Sequence, residues 1–117
     1  MKYRSKYEQQ VHALLGSTVE YEKSVLEYTI PESKHCYTPD FHIPGTNIYI
    51  ETKGRFCVKD RMKQLLIKKQ HPDKRIILVF MNPNEKLRKG SKTSYLDWCN
   101  KNDIEVMTVT QVKRLIK

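Results

Sequence analysis

Apolar side chains recur along this chain at a helical and an alternating spacing, and the switches between the two predict an α/β order. Between Ser5 and Leu15, the residues Tyr7, Val11, Leu14 and Leu15 fall at i, i+4, i+7 and i+8, a helix with one apolar stripe and Gly16 as its stop. Glu8 stands three residues after Ser5, where a capping box would put it, and that role alone would explain it. From Thr18 to Ile30 the pattern weakens. Val19, Tyr21, Val25, Leu26, Tyr28 and Ile30 predict one or two strands with glutamates between them, closed by Pro31, and the stretch 31–36 reads as a loop. Tyr37 to Gly54 then predicts two strands joined at Pro44 to Asn47.

Asp60 to Gln70 is an amphipathic pattern with Asp60 as N-cap. Met62, Leu65 and Leu66 would form its inner face, with Arg61, Lys63, Lys68 and Lys69 outside; His71-Pro72-Asp73 ends it. Ile76 to Phe80 is an unbroken apolar run of strand length, the pattern of a central strand buried on both faces. After the loop 82–93, Ser94 opens a helix with Asp97 at the capping-box position and Tyr95, Trp98 and Cys99 as its stripe. Ile104 to Val109 alternates as a short strand, and Thr110 is placed to cap a last helix bearing Val112, Leu115 and Ile116. An antiparallel pair, then a helix, then a buried strand implies an α/β fold with a mixed sheet flanked by helices. No repeat or linker interrupts it.

The chain has 117 residues, the size of one domain that buries roughly two-thirds of its unfolded surface. Lys plus Arg number 22 against 13 Asp plus Glu, a formal charge of +9 that favours a polyanionic partner, nucleic acid before others. No apolar run approaches the roughly 20 residues that span a bilayer, which leads us to expect a soluble, intracellular protein with no membrane partner. Cys36, Cys57 and Cys99 are odd in number and widely spaced, so they read as free thiols rather than as a zinc or disulfide framework.

Chemistry concentrates between Tyr37 and Gly54. Alternation along the second strand puts Tyr49, Glu51 and Lys53 on one side and Ile48, Ile50 and Thr52 on the other. On the first strand Asp40 and His42 would oppose Phe41 and Ile43, so pairing could bring Asp40 beside Glu51 and Lys53. Carboxylates are the hard oxygen ligands that magnesium prefers. Asp40 and Glu51 could hold one or two such ions, with the Thr52 carbonyl as a further oxygen and Lys53 beside an attacking water or a scissile phosphate. Pro39-Asp40, ten intervening residues, then Glu51-X-Lys53 is a pattern of only moderate specificity on its own. The loop 82–93 carries Lys86, Arg88, Lys89 and Lys92 around Gly90 and Ser91, suited to phosphate contact. Arg55, Lys63 and His35 join Lys86, Arg88, Lys89, Ser91 and Lys92 as candidate DNA contacts. His12, one helical turn after Glu8, could orient it, and His42 could reach metal-bound water or DNA.

Several stretches together resemble one family. They are Ser5 to Val11 with Glu8, Ile30-Pro31 through His35 to Tyr37-Thr38-Pro39-Asp40-Phe41, and Glu51-Thr52-Lys53-Gly54. Leu65-Leu66-Ile67 with Gln70-His71-Pro72, and Lys89-Gly90-Ser91 with Thr93-Ser94-Tyr95 and Trp98-Cys99, continue the likeness in the same order. The chain resembles the phage endonuclease I (T-seven type) family of Holliday-junction resolvases, within the Pro-Asp…Asp/Glu-X-Lys nuclease superfamily.

The resemblance implies a restriction-endonuclease-like fold and a magnesium-dependent endonuclease, with manganese a possible substitute, that nicks branched double-stranded DNA near the branch point. It matches Asp40, Glu51 and Lys53 to catalytic positions and Glu8 to the helix-borne acid that completes the site, as a metal ligand directly or through water. It further implies an intertwined homodimer within a single nuclease domain, 1–117. About 1–21 would carry the helix, about 22–31 would bridge to the partner, and about 32–117 would hold the catalytic hairpin and the rest of the core. The setting implied is a phage or prophage protein acting in the host cytoplasm. Short flanks beyond the first and last helices lead us to expect little of the basic extension that can assist junction binding. Two other readings stay open: a less structure-selective duplex-nicking or repair nuclease, and a basic DNA-binding module whose acidic pocket is inactive.

Overall fold

The computed structural model describes residues 3–30 and 33–116. Along the chain the elements are α1 (Lys6–Leu15), β1 (Glu20–Tyr21), β2 (Leu26–Ile30), β3 (Ser33–Tyr37), β4 (Phe41–His42), β5 (Ile48–Lys53), α2 (Val58–Gln70), β6 (Arg75–Phe80), α3 (Tyr95–Lys101), β7 (Glu105–Val106) and α4 (Val109–Ile116). Five strands form a sheet of order β1-β4-β5-β6-β7, and β2 with β3 forms a separate antiparallel pair. β1, β4 and β5 run antiparallel to one another in turn, whereas β5, β6 and β7 run parallel, so the sheet is mixed, as the pattern predicted.

The apolar run of β6 explains why it sits inside the sheet. Ile77 and Val79 join the core under α1 and α4, with Val11, Phe41, Ile50 and Val112. Leu78 and Phe80 point the other way, into a core with Phe56, Tyr95, Cys99 and Ile104. Both faces being covered, each of these side chains contributes about 1.5–3 kcal/mol of burial. A third cluster joins the β2–β3 pair to α2 through Leu26, Tyr28, Tyr37, Tyr49 and Ile67. Gln70 fastens that pair further, exchanging two hydrogen bonds with the backbone of Thr29 at 2.5 and 2.6 Å.

Several expectations are corrected. The predicted loop 31–36 is largely strand: β3 pairs with β2 from Ile30↔Ser33 to Leu26↔Tyr37, and Pro31 and Glu32 lie outside the described residues. Backbone pairing, not apolar alternation, defines that strand. In α1 the buried face is Glu8, Val11 and Leu15, leaving Leu14 53% exposed. In α2 it is Gln64 and Ile67, leaving Met62 53% exposed. In each helix a polar residue faces inward and turns the stripe away from its purely apolar register. Asp60 is not the N-cap of α2; the helix begins earlier, and Asp60 accepts the backbone N–H of Cys57 at 3.2 Å from the first turn. The strand predicted for 104–109 is confined to Glu105–Val106. Thr108 rather than Thr110 caps α4, its hydroxyl taking the N–H of Gln111 while the Gln111 side chain takes that of Thr108. Ser94 and Asp97 form the predicted capping box of α3, and all three cysteines are free.

Candidate active site

Strand β5 outruns β4. β4 pairs with β5 only through Phe41↔Ile50 and His42↔Tyr49, whereas β6 stays paired through Lys53↔Phe80. Glu51, Thr52 and Lys53 are therefore held by β6 along one edge and open on the other. Asp40 fills that opening from the turn before β4. Its Oδ2 accepts the Thr52 backbone N–H at 2.9 Å and the Thr52 hydroxyl at 2.6 Å. Strand alternation does not govern Asp40, which lies outside β4, so it bonds Thr52 rather than simply lining up on the face of Glu51 and Lys53. Successive strand residues direct their carbonyls to opposite edges. The Lys53 carbonyl accepts the Met81 N–H on the β6 side, so that of Thr52 faces the edge where Asp40 stands, as the reading of it as an oxygen ligand requires.

Helix α1 brings Glu8 to the same place. Its backbone N–H donates to the Ser5 hydroxyl at 3.1 Å, which is half of a capping box. Its carboxylate turns inward instead and accepts the Tyr21 hydroxyl at 2.5 Å. One carboxylate oxygen from each of Glu8, Glu22 and Asp40 lies within 4.8 Å of the others. Glu22 reaches this group through a left-handed backbone, φ 50°, with its N–H on the Asp40 carbonyl at 2.8 Å. Its Oε2 is 3.3 Å from Arg4 Nε, near enough for ion pairing but not aligned as a hydrogen bond. Three hard, closely set oxygen donors fit a divalent cation such as magnesium, and repel one another without one.

Glu51 is 8% exposed and accepts the hydroxyl of Tyr37 at 2.9 Å. Burial, then the Asp40 charge, pushes its carboxyl from an ordinary 4.5 up to about 8, against the opposing pull of Lys53. Burial also raises Asp40, against the lowering effect of the two Thr52 bonds. The Lys53 ammonium stands 3.8 Å from Glu51 Oε2 and 3.3 Å from Asp60 Oδ1. Burial alone would raise Asp60, but hydrogen bonds from Cys57 and the neighbouring Lys53 hold it below its usual range.

The structure thus gathers all four predicted catalytic residues, Glu8, Asp40, Glu51 and Lys53. The histidine alternatives fare differently. His12 bonds Tyr3 at 2.8 Å and stacks on Tyr21, so its link to Glu8 is indirect. His42 is occupied by Glu20 and the Thr46 carbonyl and stacks on Tyr49. Sequence reasoning missed the roles of Tyr21, Tyr37, Glu22, Asp60 and Gln64. The usable signal was an inward-facing polar residue in an otherwise apolar stripe, and it marks only Gln64.

Among the predicted DNA contacts, Arg55, Arg88 and Ser91 line one cleft of about 520 Å³ with Arg61. Arg55 and Arg88 also line its neighbour, with Lys86 and Lys89. Lys92 is exposed in the same loop. Lys63 lies away from these clefts, near Glu51, its ammonium 5.0 Å from the centre of the Tyr37 ring. His35 sits on β3, stacked on Tyr28. No helix among the described residues is long and apolar enough to cross a membrane.

A mixed sheet whose broken edge gathers buried carboxylates and a lysine, on a strongly cationic chain, defines a class: residues 1–110 match the phage endonuclease I family, and the chain belongs to it. Two relatives are named proteins. The chain is 49% identical over 105 residues to the endodeoxyribonuclease 1 of Enterobacteria phage T3, covering 87% of this chain and 68% of that protein. It is 45% identical over 106 residues to the endonuclease I of Escherichia phage T7, covering 88% and 70%.

Proposed function

We propose that this protein is a divalent-metal-dependent endodeoxyribonuclease that nicks branched double-stranded DNA, four-way junctions included, by hydrolysing phosphodiesters. Family membership supports the endonuclease activity. The observation that carries the metal-dependent chemistry is the meeting at Asp40 of the Glu8 and Glu22 carboxylates on one side and of Thr52, set between Glu51 and Lys53, on the other. Burying carboxylates together is costly unless a cation joins them. That logic also supports a place in the Pro-Asp…Asp/Glu-X-Lys nuclease superfamily.

Asp40, Glu8, Glu51 and the Thr52 carbonyl would hold magnesium, with manganese as a substitute. The ion, when bound, would supply Lewis-acid polarisation of the phosphate and an acidified water. The chain's own residues do the rest. Thr52 fixes the Asp40 carboxylate, Tyr37 fixes Glu51, and β6 holds the strand that carries Glu51 and Thr52. Lys53 places a positive charge beside the carboxylates, where it favours hydroxide and the charge that develops on phosphate; Asp60 steadies its ammonium. Arg55, Lys86, Arg88, Lys89, Ser91 and Lys92 would take the DNA backbone on the adjoining surface, with Lys63 and His35 at its margins.

We further propose a homodimer in which the helix-bearing segment, about residues 1–21, is exchanged through a bridge at about 22–31, so that Glu8 completes the partner's site. The approach of Glu8 to Asp40 would then be made between subunits. Two symmetric sites would pair cuts across a junction. The phage origin of the relatives supports action inside the host cell.

The test compares cleavage of a four-way junction with linear duplex of the same sequence, in magnesium and in EDTA, for wild type and Asp40→Ala. Magnesium-dependent junction nicking lost in the variant is expected. Equal cleavage of both substrates would remove the preference for branches, and no cleavage of either would remove the nuclease. Light scattering should return twice the chain mass, and an active monomer would contradict the exchange.

A further inference from the structure

Each acid of the proposed site has one oxygen engaged by a hydroxyl. Thr52 donates to Asp40 Oδ2, Tyr37 to Glu51 Oε1 and Tyr21 to Glu8 Oε1. The other oxygens are held weakly or left to face the site. Among the described residues, the hydrogen bond to Glu8 Oε2 comes from the Ser5 hydroxyl, at 3.5 Å, and Glu51 Oε2 lies 3.8 Å from Lys53. Among the described residues, the hydrogen bonds to Asp40 go to Oδ2.

Packing does not explain the two phenols. Tyr37 is 1% exposed in the apolar cluster under α2, and Tyr21 is 8% exposed among Tyr3, His12 and Phe41. Phenylalanine would fill either space. A buried hydroxyl is costly unless it is hydrogen-bonded, so its presence is explained by what it touches. In both cases that is a carboxylate of the site. Buried Gln64, 3% exposed, lies beside the Tyr37 phenol on the inner face of α2. This accounts for a polar residue there.

We propose that Tyr37 and Tyr21 are positioning residues that hold Glu51 and Glu8 in one rotation, so that each presents a single oxygen to the cation. The inference rests on the metal-dependent reading above. Its consequence is metal selectivity. Magnesium and manganese demand near-octahedral, one-oxygen ligation, whereas calcium accepts carboxylates through one oxygen or two. Freed of its phenol, Glu51 can rotate to offer both oxygens, which suits calcium and not the smaller ions.

The experiment titrates the full-length protein, without DNA, with manganese and with calcium by calorimetry, for wild type, Tyr37→Phe, Tyr21→Phe and Gln64→Leu. Metal-free melting is recorded for each. For Tyr37→Phe and Tyr21→Phe we expect manganese affinity to fall by about 10- to 100-fold and calcium affinity to fall less, while the metal-free melting temperature drops by a few degrees as each acid loses its hydroxyl. Gln64→Leu should give a smaller shift in the same direction, and none when added to Tyr37→Phe. Manganese and calcium affinities unchanged from wild type, or falling by the same factor, would overturn the proposal and leave the nuclease reading standing. A wild type that binds no manganese would overturn both.

Discussion

Strands β5 and β6 lie side by side in register, Glu51 against Leu78, Thr52 against Val79 and Lys53 against Phe80. Glu51 and Thr52 are 8% and 7% exposed, scarcely more than Val79 at 2% and Phe80 at 6%. Position in the sheet sets burial; the residue placed there sets whether burial stabilises. β6 answers with apolar side chains that contribute to the core on both faces. β5 answers with groups that must be satisfied one by one, Glu51 by Tyr37, the Thr52 hydroxyl by Asp40, and Lys53 by Asp60 and Glu51. The end of β5 therefore loses stability where β6 gains it, and the site is the region of the sheet that its neighbours must support.

The contrast can be broken most sharply at Glu51. Glu51→Gln keeps the shape but removes the charge, and should lower magnesium-dependent nicking by about 1,000-fold or more while leaving the protein at least as stable as wild type. Activity within tenfold of wild type would show that Glu51 is not needed. On the neighbouring strand, Leu78→Ala should cost about 2–5 kcal/mol in urea unfolding, since the side chain is fully buried; a loss below about 1 kcal/mol would place Leu78 outside the core.

A smaller effect follows from pH. Between about 4.5 and about 8 the folded protein keeps a proton on Glu51 that the unfolded chain has released. The native state binds more protons there, so metal-free stability falls as pH rises through that window, by an amount on the order of a few kcal/mol, roughly 5 at most. Thermal melting in EDTA at pH 5 and pH 8 measures the slope, and Glu51→Gln should flatten it. An equal slope in wild type and variant would assign it to other groups. Least of all, Arg88→Ala should weaken DNA binding only a few-fold and reduce the salt dependence by about one phosphate contact. Titrations at several salt concentrations would reveal an unchanged slope if Arg88 does not meet the backbone.

How much the sequence disclosed follows the same division. The run Ile76 to Phe80 announced its strand because every residue agreed with burial, and Ser94 with Asp97 announced their helix start. Asp40, Glu51 and Lys53 were legible as a group from strand alternation, although Asp40 reaches the site from a turn and through Thr52. Leu14 and Met62 were misplaced because Glu8 and Gln64 occupy inner positions that a count of apolar residues assigns outside. β3 was unreadable for another reason: Ser33, Lys34, His35 and Cys36 carry no apolar alternation, and only the ladder to β2 makes them a strand. Tyr21 counted only as a strand position and Tyr37 only as the start of the hairpin stretch, since a hydroxyl buried against a carboxylate has the same letter as one in water.

The broken edge of β5 also has a meaning for how the protein is made. Glu8 comes from the first helix, Asp40 from the turn before β4 and Glu51 from a strand secured by β6. The strand that secures β5 therefore leaves the ribosome after every one of these acids. A chain still under synthesis, or cut short ahead of that strand, would carry every acid of the proposed site without the ladder that holds Glu51 in place.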